Sequence, residues 1–219
     1  MTGSATSPAS LRVPSCGAPL TRATGAAIML HGRGATARSI LSLADVLAFP
    51  DLHYVAPQAP AGSWYPYSFL APPADNEPAL SRALGTVAAL VEGLAGQGFG
   101  PERTVILGFS QGGCLGLEYA ARNALRYGAV IGLSAGLIGP EGTPRAYDGS
   151  LAGTPVLLGC SDVDSHIPLA RVQETARVLG GLGAEVTERI YPGMAHTIVD
   201  DEIHEVRKLL ARLGPHAAS

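Results

Sequence analysis

Short, continuously apolar runs recur along the chain, and most of them are bounded by glycine or proline. A run without in-and-out alternation is typical of a strand that is buried on both faces of a parallel sheet. The runs predict β-strands at residues 26–30, 52–56, 104–108, 129–133, 155–159 and 186–191. Stretches with helical spacing lie between them and predict helices at residues 37–47, 79–94, 111–125, 169–179 and 201–213. This alternation predicts an α/β fold with a mostly parallel central sheet, flanked by helices.

Two segments rich in glycine or proline interrupt this alternation and predict surface loops. Residues 57–78 contain six prolines and Trp64, which is the only tryptophan. Near the end of this loop, Asn76 is a candidate N-cap for the helix that follows, because Pro78 lies early in that helix. Loops of this length in a compact domain often carry function. For the second segment, residues 137–154, we expect a surface meander.

Length and composition fit a single globular domain. The chain has 219 residues, of which 47% are hydrophobic. A chain of this size buries a large core and needs neither disulfides nor a structural metal to fold. Charged residues make up 15%, which argues against a disordered chain. The net charge is −3 and there is no basic run, so the electrostatic signature of a nucleic-acid-binding protein is missing.

Cysteine usage and targeting signals bear on the compartment. The three cysteines, Cys16, Cys114 and Cys160, are odd in number and irregularly spaced, which excludes a disulfide scaffold and fits a reducing compartment. Residues 1–14 have no apolar core, so we expect a flexible tail and no secretory signal before a single domain at residues 15–219. No stretch approaches the roughly 18 apolar residues that span a bilayer. We therefore expect a cytoplasmic protein without membrane insertion.

The chain contains the pattern G-x-S-x-G twice, around Ser110 and around Ser134. The pattern alone is a weak signal, but a nucleophile elbow also needs a strand before the serine and a helix directly after it. Ser110 has both a predicted strand and a predicted helix beside it. Ser134 follows a strand, but the glycines and proline after it are poor helix starters. Ser110 is therefore the candidate nucleophile, and Ser134 is interpreted as a strand-end turn near the site.

The glycines around Ser110 have a physical reason in such an elbow. The serine occupies a sharp, strained turn at which the strand and helix backbones approach closely, so side chains at Gly108 and Gly112 would clash. The turn also places Ser110 at a helix N-terminus. There the free backbone N–H of Gln111 can donate a hydrogen bond to a developing oxyanion.

A serine hydroxyl needs a general base, and six histidines are candidates. They are His31, His53, His166, His196, His204 and His216. His196 lies in the loop between the last predicted strand and the last predicted helix. In open parallel sheets ligands bind at the carboxyl ends of the strands, which is where this loop begins. His196 is therefore the candidate base.

The base in turn needs a carboxylate that fixes its tautomer. Asp162 and Asp164 both follow the predicted strand at residues 155–159, and the residues alone do not choose between them. The resulting order of serine, aspartate and histidine is that of the α/β-hydrolases. A metal site at Asp162, Asp164 and His166 is disfavoured, because no other carboxylate or histidine cluster completes it.

A second oxyanion donor is expected from the loop after an early strand. The sequence Leu-His-Gly-Arg-Gly at residues 30–34 follows the first predicted strand, and its glycines allow backbone N–H groups to turn inward. The N–H of Arg33 is the candidate donor. A phosphate-binding P-loop is excluded, since no G-K-[ST] follows.

These motifs together resemble the phospholipase/carboxylesterase family of α/β-hydrolases, which includes the acyl-protein thioesterases. The matching segments are residues 30–34, 108–113, 164–168 and 193–196, and they lie in the family order over nearly the whole chain. The resemblance implies an α/β-hydrolase fold and often a homodimer. Because 219 residues leave no room for a large lid, we expect no large cap domain. The resemblance implies Asp164 as the acid, because in this family the acid lies four residues before a proline, here Pro168. It also implies that the N–H groups of Arg33 and Gln111 form the oxyanion hole.

Three positions depart from the thioesterase members of the family. Ala35 stands where they usually have an acidic residue, and Ser165 where they usually have proline after the catalytic aspartate. Arg33 replaces a residue that is commonly apolar. These differences leave the three catalytic candidates untouched. They argue against specificity for long acyl chains or for acylated proteins.

We therefore expect a serine esterase that cleaves short-chain or aryl carboxylic esters through an acyl-enzyme intermediate. It would need no cofactor and no metal, and its partner would be a small-molecule ester. The candidate pocket residues are Trp64, Tyr65, Phe69 and Met194. One alternative is an acyl thioesterase or lysophospholipase. The other, from a different class, is a non-catalytic small-molecule binding protein on a hydrolase fold.

Overall fold

The computed structural model describes residues 13–213. These residues form a seven-stranded sheet with helices on both faces. The strands are β1 (Ser15–Gly17), β2 (Gly25–Leu30), β3 (Leu52–Val55), β4 (Thr104–Phe109), β5 (Ala129–Leu133), β6 (Pro155–Ser161) and β7 (Glu185–Tyr191). The helices are α1 (Ala37–Leu41), α2 (Leu43–Leu47), α3 (Ala79–Ala95), α4 (Gln111–Arg122), α5 (Leu169–Gly181) and α6 (Asp200–Ala211). Residues 1–12, most of the predicted tail, lie outside the described residues. Pro14 is described, and its carbonyl accepts a hydrogen bond from the Ala56 N–H.

The sheet has the strand order β1-β3-β2-β4-β5-β6-β7. Every neighbouring pair is parallel except β1 and β3, which confirms the predicted mostly parallel sheet. Its central strands are buried on both faces, as their continuous apolar runs require. In β2, Ile28 and Leu30 contribute to one core cluster, whereas Ala27 and Met29 contribute to the other.

The helices divide between the two faces of the sheet and supply the outer side of each core. One core includes Leu80 of α3, Leu115 of α4 and Val172 of α5. The opposite core includes Ile40 of α1, Leu47 of α2 and Val206 of α6. Helices α3, α4 and α5 therefore cover one face of the sheet, and α1, α2 and α6 cover the opposite face. The sheet is a middle layer between two helical layers.

Two local features differ from the sequence prediction. The helix expected at residues 37–47 is broken at Ser42 into α1 and α2. The Ser42 hydroxyl donates a hydrogen bond to the Ser39 carbonyl at 2.7 Å, a local contact that competes with regular helical pairing. Strand β1 was not expected, because three residues at a sheet edge leave no readable apolar pattern.

Asn76 does not cap α3, which corrects the expectation from its position. The side chain is fully buried, and its Oδ1 accepts a hydrogen bond from the Tyr67 N–H at 2.8 Å. Its amide nitrogen donates to the Ser68 carbonyl at 3.1 Å. Helix α3 instead begins after Pro78, and the Glu77 carboxylate accepts a hydrogen bond from the first-turn N–H of Ser81 at 3.1 Å. Asn76 therefore holds the middle of the long loop rather than the start of the helix.

The sheet brings the chemically active residues to one edge. Arg33 follows β2, Ser110 follows β4, Asp164 follows β6 and His196 follows β7. All four strands run in the same direction, so these positions lie beyond the same, carboxyl, ends of the strands.

Glu202 is a fully buried carboxyl group in the first turn of α6. Its Oε2 accepts a hydrogen bond from the Val199 N–H at 2.9 Å, while Oε1 is buried without a hydrogen-bond partner among the described residues. Burial raises the pKa of Glu202 to about 7, against the opposing effect of the Val199 hydrogen bond. The carboxyl group is therefore largely protonated in slightly acidic solution.

Replacing Glu202 by glutamine is expected to change how stability depends on pH. Because the pKa is about 7 in the folded chain and near 4.5 when exposed, the folded state binds more protons between these values. The contribution of Glu202 to stability therefore falls as pH rises from about 4.5 to about 7. Glu202→Gln has no such proton, so at pH 8 its free energy of unfolding should exceed that of the wild type by about 2–3 kcal/mol. Urea denaturation at pH 5 and pH 8 measures this difference.

The matched control is Glu92→Gln, which removes an exposed carboxylate from helix α3. Its denaturation curves should follow those of the wild type at both pH values. Parallel pH profiles for Glu202→Gln and the wild type would show that Glu202 is already ionised at pH 5.

Candidate active site

Ser110 lies on a tight turn between β4 and α4. Its backbone has φ 53° and ψ −123°, a strained conformation for a residue with a side chain. The turn is held on both sides, since the Ser110 N–H donates to the Leu133 carbonyl and the Ser110 carbonyl accepts from the Cys114 N–H, both at 2.9 Å. The strand, the turn and the helix are those of the predicted nucleophile elbow.

The glycines flanking Ser110 are required by close backbone contact, as predicted. A Cβ atom at Gly108 would lie 2.5 Å from the backbone of Gly112. A Cβ atom at Gly112 would lie 2.5 Å from the carbonyl oxygen of His31, at the end of β2. Both separations are far below van der Waals contact. Helix α4 can therefore start against the neighbouring strands only with glycine at these positions.

Ser110, His196 and Asp164 form one continuous chain of hydrogen bonds. The His196 Nε2 lies 2.9 Å from the Ser110 Oγ, and the His196 Nδ1 lies 2.7 Å from the Asp164 Oδ2. An ionised carboxylate only accepts hydrogen bonds, so it fixes the proton on Nδ1 and leaves Nε2 free to accept from the serine hydroxyl. The structure thus brings the three predicted catalytic residues together in the order that general-base catalysis needs.

The Asp164 carboxylate accepts three hydrogen bonds from nitrogen atoms of the site. Its side chain is fully buried, which by itself would raise its pKa. The hydrogen bond from His196 and those from the backbone N–H groups of His166 and Ile167, at 2.8 and 3.0 Å, outweigh burial and lower the pKa of Asp164. The carboxylate is thereby kept ionised beside the imidazole.

Asp162, the other candidate for the acid in the sequence, does not bond His196 and has a different contact. Its Oδ1 accepts a hydrogen bond from the Gly193 N–H at 2.8 Å. Gly193 has φ 69° and opens the turn that carries His196. Asp162 therefore fastens the histidine loop to the aspartate loop. The two aspartates after one strand were visible in the sequence. Each was considered there only as the catalytic acid or as a disfavoured metal ligand, and it was not predicted that the second one holds the histidine loop.

The two candidate oxyanion donors lie beside Ser110. Gln111 is the first residue of α4, so its N–H has no partner within the helix. A Cβ atom at Gly32, which precedes Arg33, would lie 3.5 Å from the Ser110 Cβ, so this loop packs against the elbow. Neither N–H donates a hydrogen bond to another described residue. The pair is available to an oxygen atom bound near Ser110.

The side chains of the same two residues hold residues 63–69, which we call the pocket loop. The Gln111 side chain accepts a hydrogen bond from the Trp64 N–H at 3.1 Å and donates to the Tyr65 carbonyl at 2.8 Å. The Arg33 guanidinium donates to the Tyr65 carbonyl at 3.0 Å and to the Tyr67 carbonyl at 2.6 Å. Sequence reasoning used only the backbone of Arg33 and Gln111 and missed this second connection.

The pocket loop forms one wall of a cavity of about 440 Å³ that contains Ser110 and His196. Two of the predicted pocket residues, Tyr65 and Phe69, line this cavity. The other lining residues are Arg33, Pro66, Tyr67, Ser68, Gln111, Cys114, His166 and Ile167. His166 was not predicted for the pocket, although its ring lies edge-on to that of His196 with centroids 4.7 Å apart.

Trp64 and Met194 do not line this cavity, which corrects the prediction for both. The Trp64 side chain is buried beneath the loop, where its Nε1 donates to the His31 carbonyl at 2.8 Å. His31 is also buried, and its Nε2 accepts a hydrogen bond from the Ala59 N–H at 3.1 Å. Met194 belongs to the turn after β7, where its N–H bonds the Tyr191 carbonyl. Trp64 therefore supports the pocket loop from behind.

Ser134, the second serine in a G-x-S-x-G pattern, lies outside the cavity. It is fully buried at the end of β5, with a positive φ of 45°, and its N–H donates to the Gly159 carbonyl at 2.7 Å. No described histidine bonds its hydroxyl. Its place at a strand-end turn matches the sequence interpretation.

Residues 13–213 were also searched for metal sites and for membrane-spanning helices. No group of three or more His, Cys, Asp or Glu side chains in this part of the chain is arranged to hold a metal ion. None of its helices combines the length and the hydropathy needed to cross a membrane.

A parallel sheet with a serine elbow, a histidine and a buried carboxylate at its carboxyl edge defines an α/β-hydrolase. The chain belongs to the phospholipase/carboxylesterase family, whose model matches residues 13–213. The resemblance read from the sequence is thereby confirmed. Membership also identifies the chain as a serine hydrolase.

Three relatives illustrate the similarity. A phospholipase/carboxylesterase structure from Dyadobacter fermentans is 44% identical, with a TM-score of 0.88, and the match covers 91% of this chain and 95% of that one. Acyl-protein thioesterase 1 of Gibberella zeae is 34% identical over 120 residues, which are 54% of this chain and 51% of the relative, about half its length. Acyl-protein thioesterase 1 of Saccharomyces cerevisiae is 25% identical over 209 residues, covering 84% of this chain and 91% of the relative.

Removing the Asn76 side chain should loosen the pocket loop. Asn76→Ala loses the hydrogen bonds to Tyr67 and Ser68 and leaves a buried gap. We expect the free energy of unfolding to fall by about 2 kcal/mol. Because Tyr67 and Ser68 line the cavity, KM for p-nitrophenyl butyrate should rise more than kcat falls. Urea denaturation and steady-state kinetics measure the two effects.

The control is Gln97→Ala, which truncates an exposed side chain after α3. It should match the wild type in stability and in KM. An unchanged KM in Asn76→Ala would show that this contact does not shape the cavity.

Proposed function

We propose that Ser110, His196 and Asp164 act as the catalytic triad of a serine esterase. The observation that carries the proposal is the unbroken hydrogen-bond chain from the Ser110 Oγ through His196 to the buried Asp164 carboxylate. In this mechanism His196 Nε2 takes the hydroxyl proton while the Ser110 Oγ attacks the ester carbonyl carbon. Asp164 holds the imidazole and stabilises the imidazolium that forms.

The backbone N–H groups of Arg33 and Gln111 are proposed as the oxyanion hole. They would donate to the carbonyl oxygen as it becomes negatively charged, an effect worth about 3–4 kcal/mol per donor in comparable enzymes. The tetrahedral intermediate then collapses, and the alcohol leaves with the proton that His196 returns. Water, activated by the same histidine, hydrolyses the acyl-enzyme and regenerates the Ser110 hydroxyl.

Short-chain or aryl esters are the proposed substrates. The cavity of about 440 Å³ lies toward the small end of the range for ligand pockets. Its walls include the aromatic side chains Tyr65 and Phe69 next to the nucleophile, and such walls suit an aryl or short aliphatic group. A small-molecule ester is therefore the partner that we propose, in a reaction that would need no cofactor.

The first experiment compares wild type with Ser110→Ala on p-nitrophenyl acetate and butyrate. Because Ser110 is the one described hydroxyl or thiol that bonds the His196 Nε2, kcat should fall by about 10⁴-fold or more. Labelling by a fluorophosphonate probe should disappear in the same variant. Turnover is followed by release of p-nitrophenol.

Ser134→Ala is the matched control, since it removes a second serine of the same sequence pattern outside the cavity. It should retain wild-type turnover and labelling. Full activity in Ser110→Ala would overturn the assignment. A wild-type protein that neither turns over esters nor reacts with the probe would favour the binding-protein alternative.

An acyl thioesterase is the second candidate, favoured by the acyl-protein thioesterases among the relatives. The same triad would attack a thioester carbonyl. We expect kcat/KM for phenyl butyrate to exceed kcat/KM for a palmitoyl thioester by at least about tenfold, because the cavity is small. A palmitoyl thioester that is the better substrate would reverse the order of the two candidates. S-phenyl thiobutyrate separates the effect of the leaving group from that of chain length.

Three further expectations stay predictions. They are the cytoplasmic location, the homodimer and the organisation of residues 15–219 as one domain after a flexible tail. Lysophospholipase activity also remains an alternative within the enzyme class.

A further inference from the structure

Among the described residues that line the cavity, Arg33 is the only arginine, lysine or carboxylate. The lining residues include no aspartate and no glutamate, although the chain as a whole carries a net charge of −3. The Arg33 side chain is exposed and opens onto the same space as Ser110 and His196. The fixed charge among these lining residues is therefore positive, while the Asp164 carboxylate lies behind His196 and bonds its ring.

The partners of the guanidinium are all neutral. Its two terminal nitrogens donate to the Ser63 hydroxyl at 3.0 Å, the Pro66 carbonyl at 2.9 Å, and the carbonyls of Tyr65 and Tyr67 at 3.0 and 2.6 Å. No described carboxylate lies within ion-pair distance, and the Nε–H has no partner among the described residues. These oxygens satisfy hydrogen bonds but leave the positive charge uncompensated.

The hydrogen bonds also fix where this charge lies. Four contacts from one planar group to the pocket loop hold the guanidinium in one orientation before any ligand binds, so a ligand would not have to order it. The charge lies beside apolar walls formed by Tyr65, Pro66 and Phe69, where solvent screening is weaker than at an open surface. A fixed charge in a partly enclosed site favours a ligand group of opposite sign.

We propose that Arg33 selects esters that carry an anionic group, such as a carboxylate, close to the scissile carbonyl. This inference rests on the proposed function, since the N–H of the same residue is the candidate oxyanion donor. The side chain therefore starts at the residue that would bind the reacting carbonyl oxygen and extends toward the pocket loop. An anion on the substrate would lie along this loop, within the field of the guanidinium and within reach of its free Nε–H.

The anion can belong to the acyl part or to the alcohol part of the ester, and two pairs of substrates separate these cases. Monomethyl glutarate is compared with methyl valerate for a charge on the acyl side. 4-Carboxyphenyl butyrate is compared with 4-methylphenyl butyrate for a charge on the alcohol side. Hydrolysis is followed in a pH-stat at pH 7.5 and low ionic strength. The measured quantity is the ratio of kcat/KM for the charged ester to that for its neutral partner.

We expect this ratio to be above one for at least one pair in the wild type, and to fall about tenfold in Arg33→Met. Arg33→Lys keeps the charge and should keep most of the preference. Arg38→Met removes an exposed arginine of α1 that does not line the cavity and should leave the ratio unchanged. Adding 0.5 M sodium chloride should lower the ratio in the wild type, because salt screens the attraction.

Using a ratio within each variant keeps this test separate from the test of esterase activity. Loosening of the pocket loop in Arg33→Met lowers both rates, whereas loss of charge recognition lowers only the rate for the charged ester. An equal ratio in wild type and Arg33→Met, or a wild-type ratio that salt does not change, would overturn the proposal and leave Arg33 as a clamp. Failure of the esterase proposal itself appears differently, as absent hydrolysis of the neutral butyrates by the wild type.

Discussion

The site depends on how closely the first turn of α4 approaches strands β2 and β4. Gly108 and Gly112 allow backbone to meet backbone at distances that a single methyl group would prevent. This approach forces Ser110 into its strained conformation and leaves the N–H groups at the start of α4 pointing away from the helix. The packing energy of the buried helix maintains the strain, because eleven of its twelve residues are buried. The conformation of Ser110 and the free N–H of Gln111 are thus consequences of one steric constraint.

A second dependence connects the oxyanion donors with the wall of the cavity. Arg33 and Gln111 present their backbone N–H groups beside Ser110 while their side chains hold the pocket loop. Asn76 and Trp64 fasten the same loop from the other side. The position of the cavity wall is therefore tied to that of Ser110.

The sequence was sufficient for the parts of this structure that follow from local pattern and strand order. Ser110, Asp164 and His196 each follow a readable strand, so the parallel sheet had to bring them to one edge. The side-chain contacts of the long loop were not readable, because they join residues far apart in sequence. Trp64 illustrates this. As an aromatic residue of the long loop it was predicted to line the substrate pocket, but its indole N–H needs a buried acceptor and donates to the His31 carbonyl. Asn76 was misplaced for the same reason, since a buried amide is decided by partners that no periodicity reveals.

The outer strand β7 has a consequence for how copies of the chain can associate. It lies at the end of the sheet opposite the short strand β1, so within residues 13–213 one side of its backbone has no strand beside it. Unlike the central strands, it is charged: Glu185 and Arg189 are exposed, and Arg189 lies 3.6 Å from Glu205 of α6. Continuing the sheet into a second molecule would strip water from these charges, which is the usual protection of an open edge against aggregation. The charges on β7 therefore disfavour the joining of two copies into one continuous sheet through this strand.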